Sequence, residues 1–259
     1  MLVLAAGYLV TYLLLPWWFS LEAPACLRKN YCGKSILVIG GLFFSLPVIL
    51  LSALWQGKDS LLFLTAYLFL LLLGLFDDWA GSKKYSGLKG HLLALWQDRQ
   101  LTTGSLKALG GGALALWLSY LLDGFGVEML LDALIFALMV NFFNLLDLRP
   151  GRAGKVFIIG SLALLLFIKV RSFYLNLVLG SFLAYFPEDL KGRAMLGDTG
   201  SNVLGGVIGF SLITAAGIYL KLFMLTFLLL VHIYSEYRSL SSLIEGTVWL
   251  KLIDDWGRK

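Results

Sequence analysis

Long apolar runs separated by short polar breaks make up this chain. Runs approaching 20 residues recur at 1–19, 36–54, 60–76, 105–122, 127–146, 156–170, 172–186, 202–220 and 221–235. A helix rising 1.5 Å per residue needs about 20 such residues to cross bilayer hydrocarbon. The pattern therefore predicts an all-α polytopic membrane protein of about nine transmembrane helices. The pair within 156–186 and the run 221–235 are short, which leaves tilt, a kink or a re-entrant hairpin open. No cationic segment precedes the first run and no small-residue cleavage site follows it, so it reads as a retained span.

Composition sharpens this picture. The chain is 59% hydrophobic and 14% charged, with a mean hydropathy of +0.84, too little charge for the polar shell of a soluble protein of this size. The longest polar stretches, 77–104 and 236–259, are too small to fold alone, so residues 1–259 read as one transmembrane domain. With the N-terminus outside, 17 of the 21 lysines and arginines fall on one side. That asymmetry makes the richer side cytoplasmic. The net charge of +5 then reflects anionic headgroups and calls for no nucleic acid. Cys26 and Cys32 have neither the number nor the spacing of a metal site or disulfide framework. The glycine-dense LGGGALAL (109–116) and VLGGVIGF (203–210) suit close helix packing.

Against this apolar background three acidic clusters stand out. Asp77 and Asp78 close the third run, Asn141, Asn144 and Asp147 close the fifth in NFFNLLDLRPGR, and Asp198 opens the eighth in MLGDTGSN. Even numbers of crossings separate them, so all face the same, cytoplasmic, side. Carboxylates at such depth cost a few kcal/mol each on insertion scales and are usually paired or functional. Asn141, Asn144 and Asp147, spaced by three, share one helix face. Four carboxylates with few cations at their depth point to a divalent ion. Oxygen-only ligands favour magnesium or calcium. Magnesium, which typically uses one or two carboxylates plus substrate phosphates, is expected, with manganese in its place as the alternative; no His/Cys cluster suggests zinc. Taken singly, each cluster has a plainer reading as an interfacial cap, interhelical hydrogen bonding or a capped turn. In GDTGSN, glycines at a helix start would leave N–H groups open to an anion such as pyrophosphate.

Together these motifs resemble the polyprenyl-phosphate N-acetylhexosamine-1-phosphate transferases. That family includes the MraY-type phospho-N-acetylmuramoyl-pentapeptide transferases and the GlcNAc-1-phosphate transferases of teichoic acid and O-antigen synthesis. The likeness covers essentially the whole chain in order and spacing. It implies transfer of a sugar-1-phosphate from a UDP-sugar to undecaprenyl phosphate, with release of UMP. The setting it implies is the plasma membrane of a bacterium, in cell-wall or surface-glycan synthesis, with a homodimer left open. Asp77, Asp78 and Asp198 match the family's magnesium-handling aspartates. Asp77, Asp78 and Asp147 match its catalytic carboxylates, and Lys89 matches a lysine expected to meet phosphate. Asn141, Asn144, Asp147, Gly197, Thr199, Gly200 and Ser201 match its substrate-binding motifs, and RKNYCGK (28–34) its first basic loop.

The chain departs from the family's pattern at two places. A Gly-Leu-Asp-Gly-Leu-Ala type run usually follows the third-motif aspartate, where this chain reads LRPGRAGKV. A late loop with clustered histidines is absent, leaving His232 as the only late histidine. The missing loop and short tail lean the expected donor toward UDP-N-acetylglucosamine over a muramoyl-pentapeptide. Lys89 lies in YSGLKGHLLALWQ (85–97), whose Leu88, Leu92, Leu95 and Trp96 predict an amphipathic interfacial helix. Two rival classes remain. An intramembrane aspartyl protease would use Asp77 and Asp198 but leaves Asp78, Asn141, Asn144 and Lys89 unexplained. A transporter or non-catalytic member would place its site near the midplane or lose its carboxylates.

Overall fold

A computed structural model describes residues 1–20, 27–29, 35–55, 57, 59–80, 103–167 and 172–258. Lys83, Lys84, Lys89, His91, Cys26, Cys32 and the helix expected around Lys89 lie outside the described residues. Nine helices of 14 residues or more follow in order among the described residues. They are α1 (Leu2–Ser20), α2 (Gly40–Ala53), α3 (Ser60–Ala80), α4 (Thr103–Asp123), α5 (Val127–Leu146), α6 (Arg152–Leu166), α7 (Phe173–Leu190), α8 (Gly197–Ala215) and α9 (Ile218–Tyr237). Two short helices, α10 (Leu240–Gly246) and α11 (Val248–Asp255), end the chain. The fold is not purely helical. Strands β1 (Leu27–Lys29) and β2 (Ser35–Leu37) pair antiparallel, with Leu27 opposite Leu37.

Each apolar run of the sequence has its helix, but among the described residues five helices (α1, α3, α4, α5 and α9) are long and apolar enough to cross a membrane. The expected count of nine exceeds that. Helix α2 has 14 residues, since β2 takes residues 35–37, and α6 has 15, starting at Arg152 after Gly151 at φ +76° and ending at Leu166.

Helix α8 shows why hydropathy alone misleads here. Every residue from Thr199 to Ile213 is buried, with α3, α5, α2 and α6 packed around it. A helix surrounded by protein needs no lipid-facing aliphatics, and small residues let its neighbours approach. At the periphery, α9 buries Leu228 alone, as a helix facing lipid would.

Two helix boundaries decide the geometry of the polar clusters. Helix α3 runs through Asp77 and Asp78 to Ala80, not stopping before them, and α8 begins at Gly197, inside the GDTGS motif. Both aspartate clusters therefore sit on helical turns with fixed directions.

Candidate active site

The first turn of α8 is the hub. Gly197 stands at φ +65°, and a Cβ there would overlap the Val38 carbonyl oxygen. Only glycine combines that backbone conformation with that clearance. A Cβ at Gly74 would overlap the Asp198 carbonyl, so α3 touches α8 backbone to backbone just before its acidic turn. That approach brings Asp78 to the α8 N-terminus. Its Oδ1 accepts the Asp198 N–H at 2.9 Å, while its Oδ2 accepts the Thr199 N–H at 2.8 Å and the Thr199 hydroxyl at 2.6 Å.

Asp147, the C-cap residue of α5, lies within hydrogen-bonding reach of the Gly197 N–H. Burial raises its pKa well above the ordinary carboxylate value, and the charges of Asp189, Asp198 and Asp78 raise it further. Asp78 thus satisfies N–H groups that a helix start leaves open, where its negative charge also meets the positive end of the helix dipole, and Asp147 stands beside the Gly197 N–H. The expectation of an open anion cradle for pyrophosphate is corrected here: the chain's own carboxylates occupy it.

Asp77 and Asp198 meet on the accessible side. Their carboxyl groups lie in hydrogen-bonding reach of each other, and Thr103 bonds Asp77. Lys107 Nζ sits between them, 2.6 Å from Asp198 Oδ2 and 3.8 Å from Asp77 Oδ2. The Lys107 and Asp77 side chains are 18% exposed and Asp198 31%, so a solute can reach them. Lys107 was not singled out from sequence, although a signal existed. It stands in the first turns of an apolar helix, the end where the dipole disfavours a cation, and such a lysine needs anionic partners.

The asparagine motif divides. Asn144 donates to Asn202 Oδ1 at 2.7 Å and accepts from the Ser201 hydroxyl, locking α5 to α8, whereas Asn141 is exposed one turn earlier. Thr199, Gly200 and Ser201 are buried. Thr199 and Ser201 bond within the protein, and Gly200 packs on Gly41. They shape the site from beneath. His232 lies on α9, with Nδ1 bonded to its own helix at the Leu228 carbonyl, 2.7 Å away.

Parity placed Asp77, Asp78, Asn144, Asp147 and Asp198 at one end of the bundle, and the structure brings them together. Among the described residues no group of three or more His, Cys, Asp or Glu side chains has the arrangement of a metal site. The donor chemistry nonetheless fits a hard cation. Asp77 and Asp198 already share one positive charge, the Lys107 ammonium, and the set around it is all oxygen. The aspartyl-protease reading is weakened by that ammonium, because a dyad needs two carboxyls sharing a proton with no cation between them.

No family model matches the chain. Three curated relatives do, each a phospho-N-acetylmuramoyl-pentapeptide-transferase. That of Thermotoga neapolitana is 28% identical over 85% of this chain and 78% of its own length. Those of Thermotoga petrophila and Thermotoga maritima are 33% and 32% identical, over 72% and 71% of this chain and 63% of their own lengths. The chain thus spans less than two thirds of the last two. Over most of its length the chain is similar to these transferases.

Proposed function

We propose that the chain transfers an N-acetylhexosamine-1-phosphate from its UDP-sugar to a polyprenyl phosphate and releases UMP. The observation that carries this reading is the gathering of Asp77, Asp78, Asp147 and Asp198 from three helices at the head of α8, with Lys107 beside Asp77 and Asp198. In the reaction a phosphate oxygen of the lipid attacks the sugar-linked phosphorus of the donor. The bond to the UMP oxygen breaks, and UMP leaves with the electron pair. Two phosphate-bearing reactants and the departing UMP concentrate negative charge at one point, and preorganised cations are the main means of stabilising it.

Within that reading each side chain has a distinct task. Asp77 and Asp198 would hold a magnesium ion, or manganese in its place, which when bound supplies charge neutralisation at the transferred phosphate. Asp78 and Asp147 fix the α8 N-terminus, and with it the direction of Asp198. Lys107 balances the two outer carboxylates in the free protein and is near enough to turn to a phosphate oxygen. Asn144 holds α5 and α8 in register, while exposed Asn141 is free to meet the nucleotide sugar. Lys89 keeps the phosphate-contacting role implied by the resemblance, and Lys107 is a second candidate for it by its place beside Asp77 and Asp198.

The topology consistent with this places the N-terminus outside, nine crossings and the site on the cytoplasmic side of a bacterial membrane, where UDP-sugars are made. The relatives' names point to a muramoyl-pentapeptide donor. The preference for UDP-N-acetylglucosamine rests on the absence of clustered histidines from the given sequence, where His232 is the one late histidine. The deciding experiment supplies undecaprenyl phosphate, magnesium and each UDP-sugar to purified protein and measures UMP. Release with neither sugar would overturn the proposal.

A further inference from the structure

After Asp147 the chain reads LRPGRAGK (148–155), a stretch that departs from the family's pattern, and α10 and α11 form a second polar stretch in the tail. The two stretches bind each other. Arg149 donates to Glu245 at 2.9 Å. Arg152 grips Asp254 with two parallel bonds, Nε to Oδ1 at 2.8 Å and Nη2 to Oδ2 at 2.9 Å, and gives Nη1 to Ser241 at 2.7 Å. Lys155 Nζ donates to the Ile253 and Asp254 carbonyls at 2.9 and 2.5 Å. In return Arg258 donates to the Pro150 carbonyl at 3.1 Å and to Asp254 at 2.9 Å. Every cation of the segment is engaged by the tail.

Polar bonds, not apolar burial, hold the tail in place. Leu240 is the one buried residue of α10 and Asp254 the one buried residue of α11. Trp249 and Trp256 are 76% and 73% exposed. A planar guanidinium gripping a carboxylate with two bonds fixes direction as well as distance. The path from this anchor back to Asp147 is short and stiff. It passes through Pro150, with its fixed φ, and Gly151, whose N–H is tied to buried Asp189 at 3.1 Å.

The geometry points to α10 and α11 as a brace that sets the position of Asp147, with Arg152 and Asp254 as its latch and as positioning residues for the transfer reaction. This inference rests on the transferase reading. A displacement of about 1 Å in a reacting group can cost on the order of 100-fold in rate. Releasing the latch is expected to lower kcat by about 10-fold, with KM for the UDP-sugar nearly unchanged, because the tail does not touch the outer carboxylates.

The test compares the full-length wild type with Asp254→Ala, measuring UMP release and backbone hydrogen exchange. The expected result is a lower kcat together with faster exchange at residues 147–155, while α3 and α8 exchange as before. An unchanged kcat per folded molecule, or unchanged exchange at 147–151, would overturn the brace and leave the tail a mere appendage. Exchange that quickens through the whole bundle would overturn it as well, marking a general structural role. Should Asp254→Ala fail to fold, Asp254→Asn keeps the shape, removes the charge and carries the same comparison. If the wild type releases no UMP, the transferase reading fails by itself, and exchange at 147–151 still decides whether the latch orders that turn.

Discussion

Two buried acidic centres lie at the same end of this bundle and are neutralised in opposite ways. At the latch, one carboxylate, Asp254, faces two guanidinium groups, Arg152 and Arg258. Burial alone would push its pKa up, but the Arg152 and Arg258 bonds hold it at about 2. At the head of α8, four carboxylates from three helices share backbone N–H groups and one ammonium. The first centre has its carboxylate fully paired and can only hold things together. The second keeps a surplus of negative charge at a partly exposed place, which disfavours folding unless a further cation joins it. That surplus marks it as the reactive centre.

Breaking the second centre should therefore abolish turnover while sparing the fold. Asp198→Asn or Asp77→Asn is expected to lower UMP release by at least about 1000-fold, roughly 4 kcal/mol of transition-state stabilisation. Thermal unfolding should move little, since one like charge is removed from a crowded cluster. Chelation of divalent cations should reproduce the loss in the wild type, with recovery on adding magnesium. Lys107→Ala is expected to cost about 100-fold in kcat. Lys89→Ala, by the position of Lys107, should cost less, and Lys83→Ala least. A larger loss for Lys89 than for Lys107 would move the phosphate contact to the segment 81–102.

Breaking the first centre should act on stability before chemistry. Removing one partner of a buried ion pair costs about 3–5 kcal/mol, whereas replacing both by apolar residues of similar volume is often neutral. Asp254→Ala is therefore expected to free the tail to proteases, a local loss that leaves the unfolding of α3 and α8 unchanged. Arg152→Met combined with Asp254→Leu should restore most of that loss. Thr199→Val, which removes one bond to Asp78, is expected to cost about 1.5–3 kcal/mol of stability. Smallest is the pH effect. Asp254 is held below its unfolded value near 3.9, so the latch contributes fully above about pH 4. It weakens as pH falls toward about 2, and protease nicking of the tail should rise only in that window.

The acidic motifs and their common side were legible because both follow from local pattern: apolar run lengths fix parity, and a carboxylate in an apolar chain is conspicuous. What each aspartate does was not legible. Asp78 caps α8 only because Gly74 lets two backbones touch, a contact between residues more than 100 positions apart. Lys107 was hidden because a single lysine at a span end looks like headgroup attraction until its partners are seen. The central place of α8 was hidden for a related reason. Its glycines and serines lower its hydropathy, although it is the most enclosed helix. The latch joins Arg152 to Asp254 across 102 positions, and neither stretch has any local feature that names the other.

The most direct measurement is UMP release by the purified protein given undecaprenyl phosphate and a UDP-N-acetylhexosamine, with and without magnesium, beside Asp198→Asn. The account predicts release that requires the lipid phosphate, requires the divalent cation and disappears in the folded variant. Release that persists in folded Asp198→Asn, or no release from the wild type with any UDP-N-acetylhexosamine, would contradict it.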